Sequence, residues 1–178
     1  DVVGQEIITN SLENAISNGK LAQALLFTGP RGVGKTSCAR IVAREINKFK
    51  IGDDFSYNIF ELDAASNNGV DDIRNLIEQT RIPPQKGNFK VYIIDEVHML
   101  SSGAFNAFLK TLEEPPKHCI FILATTEKHK IIPTIISRCQ IYNFNRISNK
   151  DIIKNLENIC SLENISYDKE SLQIIATK

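Results

Sequence analysis

The eight residues Gly29-Pro30-Arg31-Gly32-Val33-Gly34-Lys35-Thr36 constrain this chain more than any other stretch. Ahead of them, Ala24-Leu25-Leu26-Phe27-Thr28 is a short, nearly continuous apolar run, and behind them a helical pattern extends from Lys35 to about Asn47. A strand that breaks into a glycine-rich turn and passes straight into a helix aims backbone N–H groups inward. The positive end of the helix stands behind them. The spacing GxxxxGK[ST] is met in full and in the right context, which is the requirement for cradling phosphate oxygens. Lys35 is then placed to reach β- and γ-phosphates, and the Thr36 hydroxyl to bind Mg²⁺. A ligand-free glycine turn is the plain alternative, and it gives no reason for Lys and Thr at those two positions. The dinucleotide spacing GxGxxG is not present.

The rest of the chain alternates strand and helix patterns. Ile8, Leu12, Ala15 and Ile16 recur at helical spacing over residues 7–18, with Asn18-Gly19 as a stop. Strands are predicted at 24–28, 58–62, 91–94, 119–124 and 140–144, and helices at 35–47, 70–80 and 101–113. Pro83-Pro84 and Gly87-Asn88 mark a loop. Apolar residues on both strand faces, with helices between strands, predict a five-stranded parallel sheet covered on both sides, an α/β P-loop NTPase fold. After Phe144 the pattern changes to two successive helices, at 150–161 and 168–178. The expected division is therefore 1–147 for a nucleotide-binding domain and 148–178 for the start of a small, all-helical lid. Lys178 falls inside an amphipathic pattern, so the lid is expected to be cut short. Asp1 in place of Met is expected of a processing or cloning boundary.

Val91-Tyr92-Ile93-Ile94-Asp95-Glu96 is an apolar strand ending in two acids, where open α/β sheets bind ligands. Asp95 suits Mg²⁺, held through water, and Glu96 suits the water that attacks a γ-phosphate. A pair of solvated acids at a strand end is the alternative for either residue alone. Asp95-Glu96-Val97-His98 also has the DExH form of helicases, but the chain has no room for a second ATPase lobe. His98 is read as a polar residue near the sheet edge, without assigned chemistry. Thr125 and Thr126 end the fourth strand with two hydroxyls, a weak signal because strands favour Thr. Arg138 precedes the fifth strand; Arg is the natural clamp for a transferring phosphoryl group, and an exposed surface Arg is its bland reading.

Taken together these residues resemble the AAA+ ATPases, and among them the gamma/tau clamp-loader motors of bacterial DNA polymerase III. The likeness runs over nearly the whole chain. It includes Val3-Gly4-Gln5, Glu61-Leu62-Asp63-Ala64-Ala65-Ser66, Asp95 to Leu100, Phe105 to Pro116 and Ser137-Arg138-Cys139. The resemblance implies that Thr126 is the first sensor and that Arg138 acts in trans on ATP of an adjacent subunit. It also implies that the Val2 to Gln5 segment, with Val2 and Val3, lines the adenine pocket. The implied nucleotide-binding set is Val2, Val3 and Gly29 to Ser37, and the implied catalytic set is Lys35, Glu96, Thr126 and Arg138. ATP and Mg²⁺ are the implied cofactors, with Thr36 and Asp95 on the metal.

The implied activity is Mg-dependent ATP hydrolysis that loads a sliding clamp on primed DNA. The implied partners are other loader subunits in a pentameric ring, the clamp and the DNA. Membership of a DNA-directed DNA polymerase holoenzyme further implies the transferase class, with nucleotidyltransferase chemistry. A non-hydrolysing scaffold subunit and another AAA+ remodeller, such as a branch-migration motor, are the alternatives. Glycine loop and Glu96 argue against the first, and the LKTLEEPP run against the second. Two departures stand out. The four-cysteine zinc module of the resembled family is missing from Lys48 to Tyr57, where Lys48 to Asp54 reads as a junction. The second sensor arginine of the family would lie beyond Lys178, so the isolated chain is expected to be poorly active.

Composition limits the remaining classes. Lys and Arg total 21 and Asp and Glu total 21, so a uniformly basic nucleic-acid surface is excluded, though not a local patch. Cys38, Cys119, Cys139 and Cys160 form no CxxC pair, so neither a zinc site nor a disulfide framework is expected, as in a cytoplasmic protein. No run reaches the ~18 apolar residues of a membrane span, and no signal peptide is seen. No membrane partner is expected.

Overall fold

The computed structural model describes residues 2–50, 54 and 56–177. Residues 51–53 of the junction read at Lys48 to Asp54, and Lys178 of the helix expected at 168–178, lie outside the described residues. Five strands form one parallel sheet: β1 (Ala24–Thr28), β2 (Ile59–Asp63), β3 (Lys90–Asp95), β4 (Cys119–Thr125) and β5 (Gln140–Asn143). Their spatial order is β2-β3-β4-β1-β5, so the α/β class and the strand count expected from the sequence are both found.

The period of two explains why the sheet must be covered twice. Leu25 and Phe27 of β1 join Val91, Ile93, Ile120, Ile122 and Ala124 in one buried cluster. Their neighbours Leu26, Tyr92, Ile94, Phe121 and Leu123 point the other way into a second. Helices α1 (Glu6–Ser17) and α2 (Lys35–Asn47) close the first face through Ile8, Leu12, Ala39 and Val42. Helices α3 (Val70–Thr80) and α4 (Ser102–Glu113) close the second through Ile73, Leu76, Phe105 and Phe108. Phe108 meets Phe121 edge-on at 5.2 Å between centroids.

The chain leaves β1 over one face, through α2, to reach the far edge at β2. It returns to β4, beside β1, over the other face through α3 and α4. Reversing direction on opposite faces keeps parallel crossovers right-handed, and it opens a crevice at the C-terminal strand ends where the direction switches.

Element ends shift by one or two residues from the sequence reading, for local reasons. Ser101 is the cap of α4 rather than its first residue: its hydroxyl accepts the Ala104 N–H at 3.2 Å. Asn58 precedes β2 because its side-chain amide is spent on loop carbonyls, donating to Phe89 O at 3.1 Å. The four-residue helix α5 (Pro133–Ile136) was not predicted, since it is too short to show a period. After β5 come α6 (Asn149–Leu162) and α7 (Lys169–Ala176), which pack on each other.

Two close approaches hold the crevice. Gly29 has φ +148, and a Cβ there would meet the Phe144 carbonyl oxygen at 2.3 Å. Gln5, 4% exposed, donates through Nε2 to the Asn145 carbonyl at 2.7 Å and accepts the Asn145 N–H at 3.2 Å. The segment before α1 is thereby tied to the chain leaving β5.

Gly29→Ala is expected to lower stability by about 2–4 kcal/mol through overpacking and backbone strain. In a thermal melt this is a drop of roughly 5–15 °C. An unchanged melting temperature would show that Phe144 can move aside freely.

Candidate nucleotide-binding site

The crevice is a cleft of about 830 Å³ above the strand ends, lined by Arg31, Gly32, Gly34, Lys35, Thr36 and Ser37 from the glycine turn. Asp95 and Glu96 at the end of β3 line it from the other side, with Arg40, Glu61 and Asp63 at its margin. The turn takes its shape from glycine: Gly32 (φ +78) and Gly34 (φ +94) both lie in the left-handed region. Not every residue of the turn faces the cleft. Val33 is 5% exposed with its side chain in the core, so only its backbone remains for a ligand. Gly29 and Pro30 line an adjoining cleft instead, with Thr126, Lys128 and His129.

Lys35 begins α2, and its ammonium donates to the Gly29 and Pro30 carbonyls at 2.9 and 2.7 Å. Burial pushes its pKa below the ordinary lysine range, while the Glu96 and Asp95 carboxylates pull it back up. Thr36 donates from Oγ1 to Asp95 Oδ2 at 2.7 Å, joining the turn to β3. The other oxygen, Asp95 Oδ1, accepts the Glu96 N–H at 2.8 Å. This hydroxyl–carboxylate pair is the donor set a hard divalent cation takes: oxygens only, with room for water.

Glu96 stands at φ +44, a left-handed conformation uncommon for a residue with a side chain. Its Oε2 accepts the Thr126 N–H at 3.2 Å and the Thr126 hydroxyl at 3.0 Å. Thr126 therefore meets Glu96 directly, at the end of the strand that lies between the glycine turn and Asp95. His98, without assigned chemistry in the sequence reading, joins this group. Its side chain is only 6% exposed and lies between Glu96 Oε2 at 3.3 Å and Glu127 Oε1 at 3.2 Å. The reading of a polar residue at the sheet edge is corrected: β3 is an interior strand, and the turn after Glu96 carries His98 over β4.

Val2, Val3 and Arg138 also lie apart from the cleft lining. Val2 packs 3.5 Å from the Cβ position of Gly34 and lines a second cleft of about 620 Å³ between α1 and α2, with Val3 beside it in the chain. Arg138 ion-pairs with Glu113 at the end of α4 and donates to the Thr134 carbonyl at 2.6 Å. Glu113 belongs to the LKTLEEPP run, and its tie to Arg138 spans 25 positions that sequence spacing does not reveal.

The cysteines follow their packing. Burial pushes the thiols of Cys38, Cys119 and Cys139 up to about 11, the behaviour of small hydrophobes. Among the described residues, no group of three or more His, Cys, Asp or Glu could hold a metal ion. No described helix is long and apolar enough to cross a membrane.

A family model described as "DNA polymerase III, delta subunit" matches residues 4–148. The chain belongs to this family. Its similar relatives include the DNA polymerase III subunit tau of Bacillus subtilis, 51% identical over 99% of this chain and 34% of that protein. The subunit tau of Escherichia coli is 42% identical over 99% of this chain and 30% of that one. A subunit gamma of Buchnera aphidicola is 41% identical over the full chain and 52% of that protein. The chain thus spans between 30% and 52% of the length of these curated relatives. Among solved structures, a gamma subunit-related protein of Thermotoga maritima is 25% identical, with TM-score 0.63 over 93% of this chain and 56% of that one. The RuvB branch migration motor of the same organism reaches TM-score 0.73 at 23% identity, over 98% and 56% of the two chains. That likeness shows the shared AAA+ fold. The matches name delta, gamma and tau subunits of DNA polymerase III, which does not support nucleotidyl transfer by this subunit itself.

Replacing Glu96 by Gln removes the carboxylate with the stronger upward pull on the Lys35 pKa, ahead of Asp95. The Lys35 pKa is expected to fall further, and by more than in Asp95→Asn, in a side-chain NMR titration without nucleotide. A rise, or no change in either variant, would contradict this electrostatic account.

Proposed function

We propose that this chain binds Mg-ATP in the crevice between the glycine turn and β3, and works as the ATP-hydrolysing motor part of a DNA polymerase III clamp loader. The observation that carries the reading is the convergence of Lys35 and Thr36, at the start of α2, with Asp95 and Glu96, at the end of β3, on one cleft. The backbone of Gly29 to Thr36 would wrap the phosphates, with Ser37 adding a donor on the first turn of α2. Thr36 and Asp95 would hold Mg²⁺, which supplies charge neutralisation on the phosphate oxygens when bound. Lys35 would give up its two carbonyl partners for phosphate, a charge-assisted exchange favoured in a site of low dielectric. Glu96 would orient and polarise the attacking water, with Thr126 holding its carboxylate. Val2 and Val3 would border the adenine.

Arg138 is assigned to a neighbour's nucleotide. Its exposed position, away from the cleft lining and held by Glu113 and Thr134, supports a role across a subunit boundary. Residues 148–178 would begin the helical lid. In the assembly the partners would be other loader subunits in a five-membered ring, a sliding clamp and primed DNA, in the cytoplasm. The names of the relatives favour this over a branch-migration motor, because identity to the gamma/tau subunits is far higher than to the RuvB fold relative. A purely structural scaffold has no physical use for the Thr36–Asp95 pair beside Glu96.

Calorimetry separates binding from chemistry. Lys35→Ala is expected to weaken Mg-nucleotide binding on the order of 10- to 100-fold. Glu96→Gln is expected to spare binding and slow hydrolysis by about 10²- to 10⁴-fold. Equal nucleotide affinity in wild type and Lys35→Ala would sink the reading.

For Arg138, full-length subunits are mixed in a reconstituted loader so that a single interface pairs an Arg138→Ala subunit with a competent neighbour. Hydrolysis should drop by ~10³ to 10⁵ at the neighbour's site, while the altered subunit's own site stays active. Loss at the altered subunit's own site would place the arginine in cis.

A further inference from the structure

Among the described residues, Glu96 commits one of its two carboxylate oxygens to the protein. Its Oε2 takes three contacts, from the Thr126 N–H, the Thr126 hydroxyl and, at 3.3 Å, His98 Nδ1. Among the described residues, Oε1 has no hydrogen-bond partner, and it belongs to a side chain that lines the cleft. Whatever fixes Oε2 therefore fixes the direction in which Oε1 can face water. His98 is the contact that reaches beyond Glu96. Its Nδ1 lies 3.0 Å from Thr125 Oγ1, and its Nε2 lies 3.2 Å from Glu127 Oε1. Thr125 Oγ1, which shares the Nδ1 side of the ring with Glu96, also accepts the Glu127 N–H at 3.0 Å, so Thr125 ties residue 127 to that side as well.

Glu127 is itself anchored. Its other oxygen, Oε2, pairs with Lys130 at 2.8 Å and faces His129 at 3.7 Å. From there the chain runs through Ile131 and Ile135, 3% and 0% exposed, to Arg138, whose N–H donates to the Ile135 carbonyl at 3.1 Å. A series of contacts, exposed at residues 128–130 and buried at Ile131 and Ile135, thus connects the Glu96 carboxylate to the segment that carries Arg138.

We propose that His98 is a positioning residue for Glu96: its imidazole spans the gap from Glu96 to Glu127 and ties the orientation of the cleft carboxylate to segment 127–138. The proposal rests on the reading of the cleft as an ATP-hydrolysing site. Its consequence is communication within one subunit. When Arg138 changes partner, the movement reaches Glu127, and His98 passes it to the carboxylate that aims the water at the subunit's own nucleotide. His98 touches no substrate in this role; it acts through Glu96.

The two ring nitrogens can be replaced one at a time. Asn at position 98 puts an amide nitrogen near the Nδ1 position and keeps the contact to Glu96, while Gln reaches toward Glu127 instead. Full-length subunits carrying His98→Ala, His98→Asn, His98→Gln, Glu127→Gln and Glu96→Gln are assembled with their partners, and single-turnover hydrolysis is measured beside Mg-ATP affinity. The positioning role predicts that His98→Ala loses on the order of 100-fold in rate with affinity within twofold of wild type. His98→Asn should recover most of that loss and His98→Gln little. Glu127→Gln should slow the wild type but add nothing to His98→Ala, the non-additivity of residues on one path. A rate unchanged in His98→Ala while Glu96→Gln abolishes hydrolysis would overturn the role of His98 alone. So would equal losses in the Ala and Asn variants. Absence of hydrolysis in the wild-type assembly would overturn the functional reading, and this inference with it.

Discussion

The strands β1, β3 and β4 are buried on both faces, and the rest of the molecule follows from that constraint. A parallel sheet exposes neither face to water, so alternate side chains must be apolar and both clusters must be capped by helices. Polar chemistry can then reside only where strands end. The C-terminal ends of β1, β3 and β4 lie side by side in the sheet, and they deliver Gly29, Asp95 and Thr126 to one place. The sheet's order therefore creates the site before any single functional residue is considered.

At that place the chain departs from its locally favoured conformations. Glu96 is left-handed, Gly29 packs against the backbone of Phe144, and Lys35 is buried beside two carboxylates. Each carries a cost that an ordinary surface loop would avoid. Each also has a compensating contact: Thr126 on Glu96, the Thr28 carbonyl accepting the Phe144 N–H, and loop carbonyls on Lys35. The crevice is held ready by hydrogen bonds among its own residues, so on the proposed reading phosphate would exchange partners without the loop having to be built.

Much of this was legible in the sequence because it depends on short spacings. The glycine turn, the acid pair after β3 and the strand–helix alternation all lie within windows of a few residues, where period and turn chemistry act directly. What escaped was the long-range pairing. Gln5 meets Asn145 across 140 positions, and Arg138 meets Glu113 across 25. His98 looked peripheral because nothing in Asp95-Glu96-Val97-His98 says which way the chain turns after Glu96. The single 3₁₀ turn over Val97–Met99 folds the imidazole back over Thr125, and only the sheet order puts Thr125 there. The short α5 helix was missed for a simpler reason, having too few residues to display a period.

The central claim is that the Thr36–Asp95 hydrogen bond and the Lys35 contacts to Gly29 and Pro30 are exchanged for Mg²⁺ and phosphate. A crystal structure with Mg²⁺ and a non-hydrolysable ATP analogue tests it most directly. The account predicts the triphosphate wrapped by the amides of residues 29–36, Lys35 Nζ moved from the two carbonyls onto phosphate oxygens, and the metal on Thr36 Oγ1 with Asp95 reaching it through water. An analogue bound elsewhere, or Lys35 still on the Gly29 and Pro30 carbonyls with nucleotide in the cleft, would contradict it.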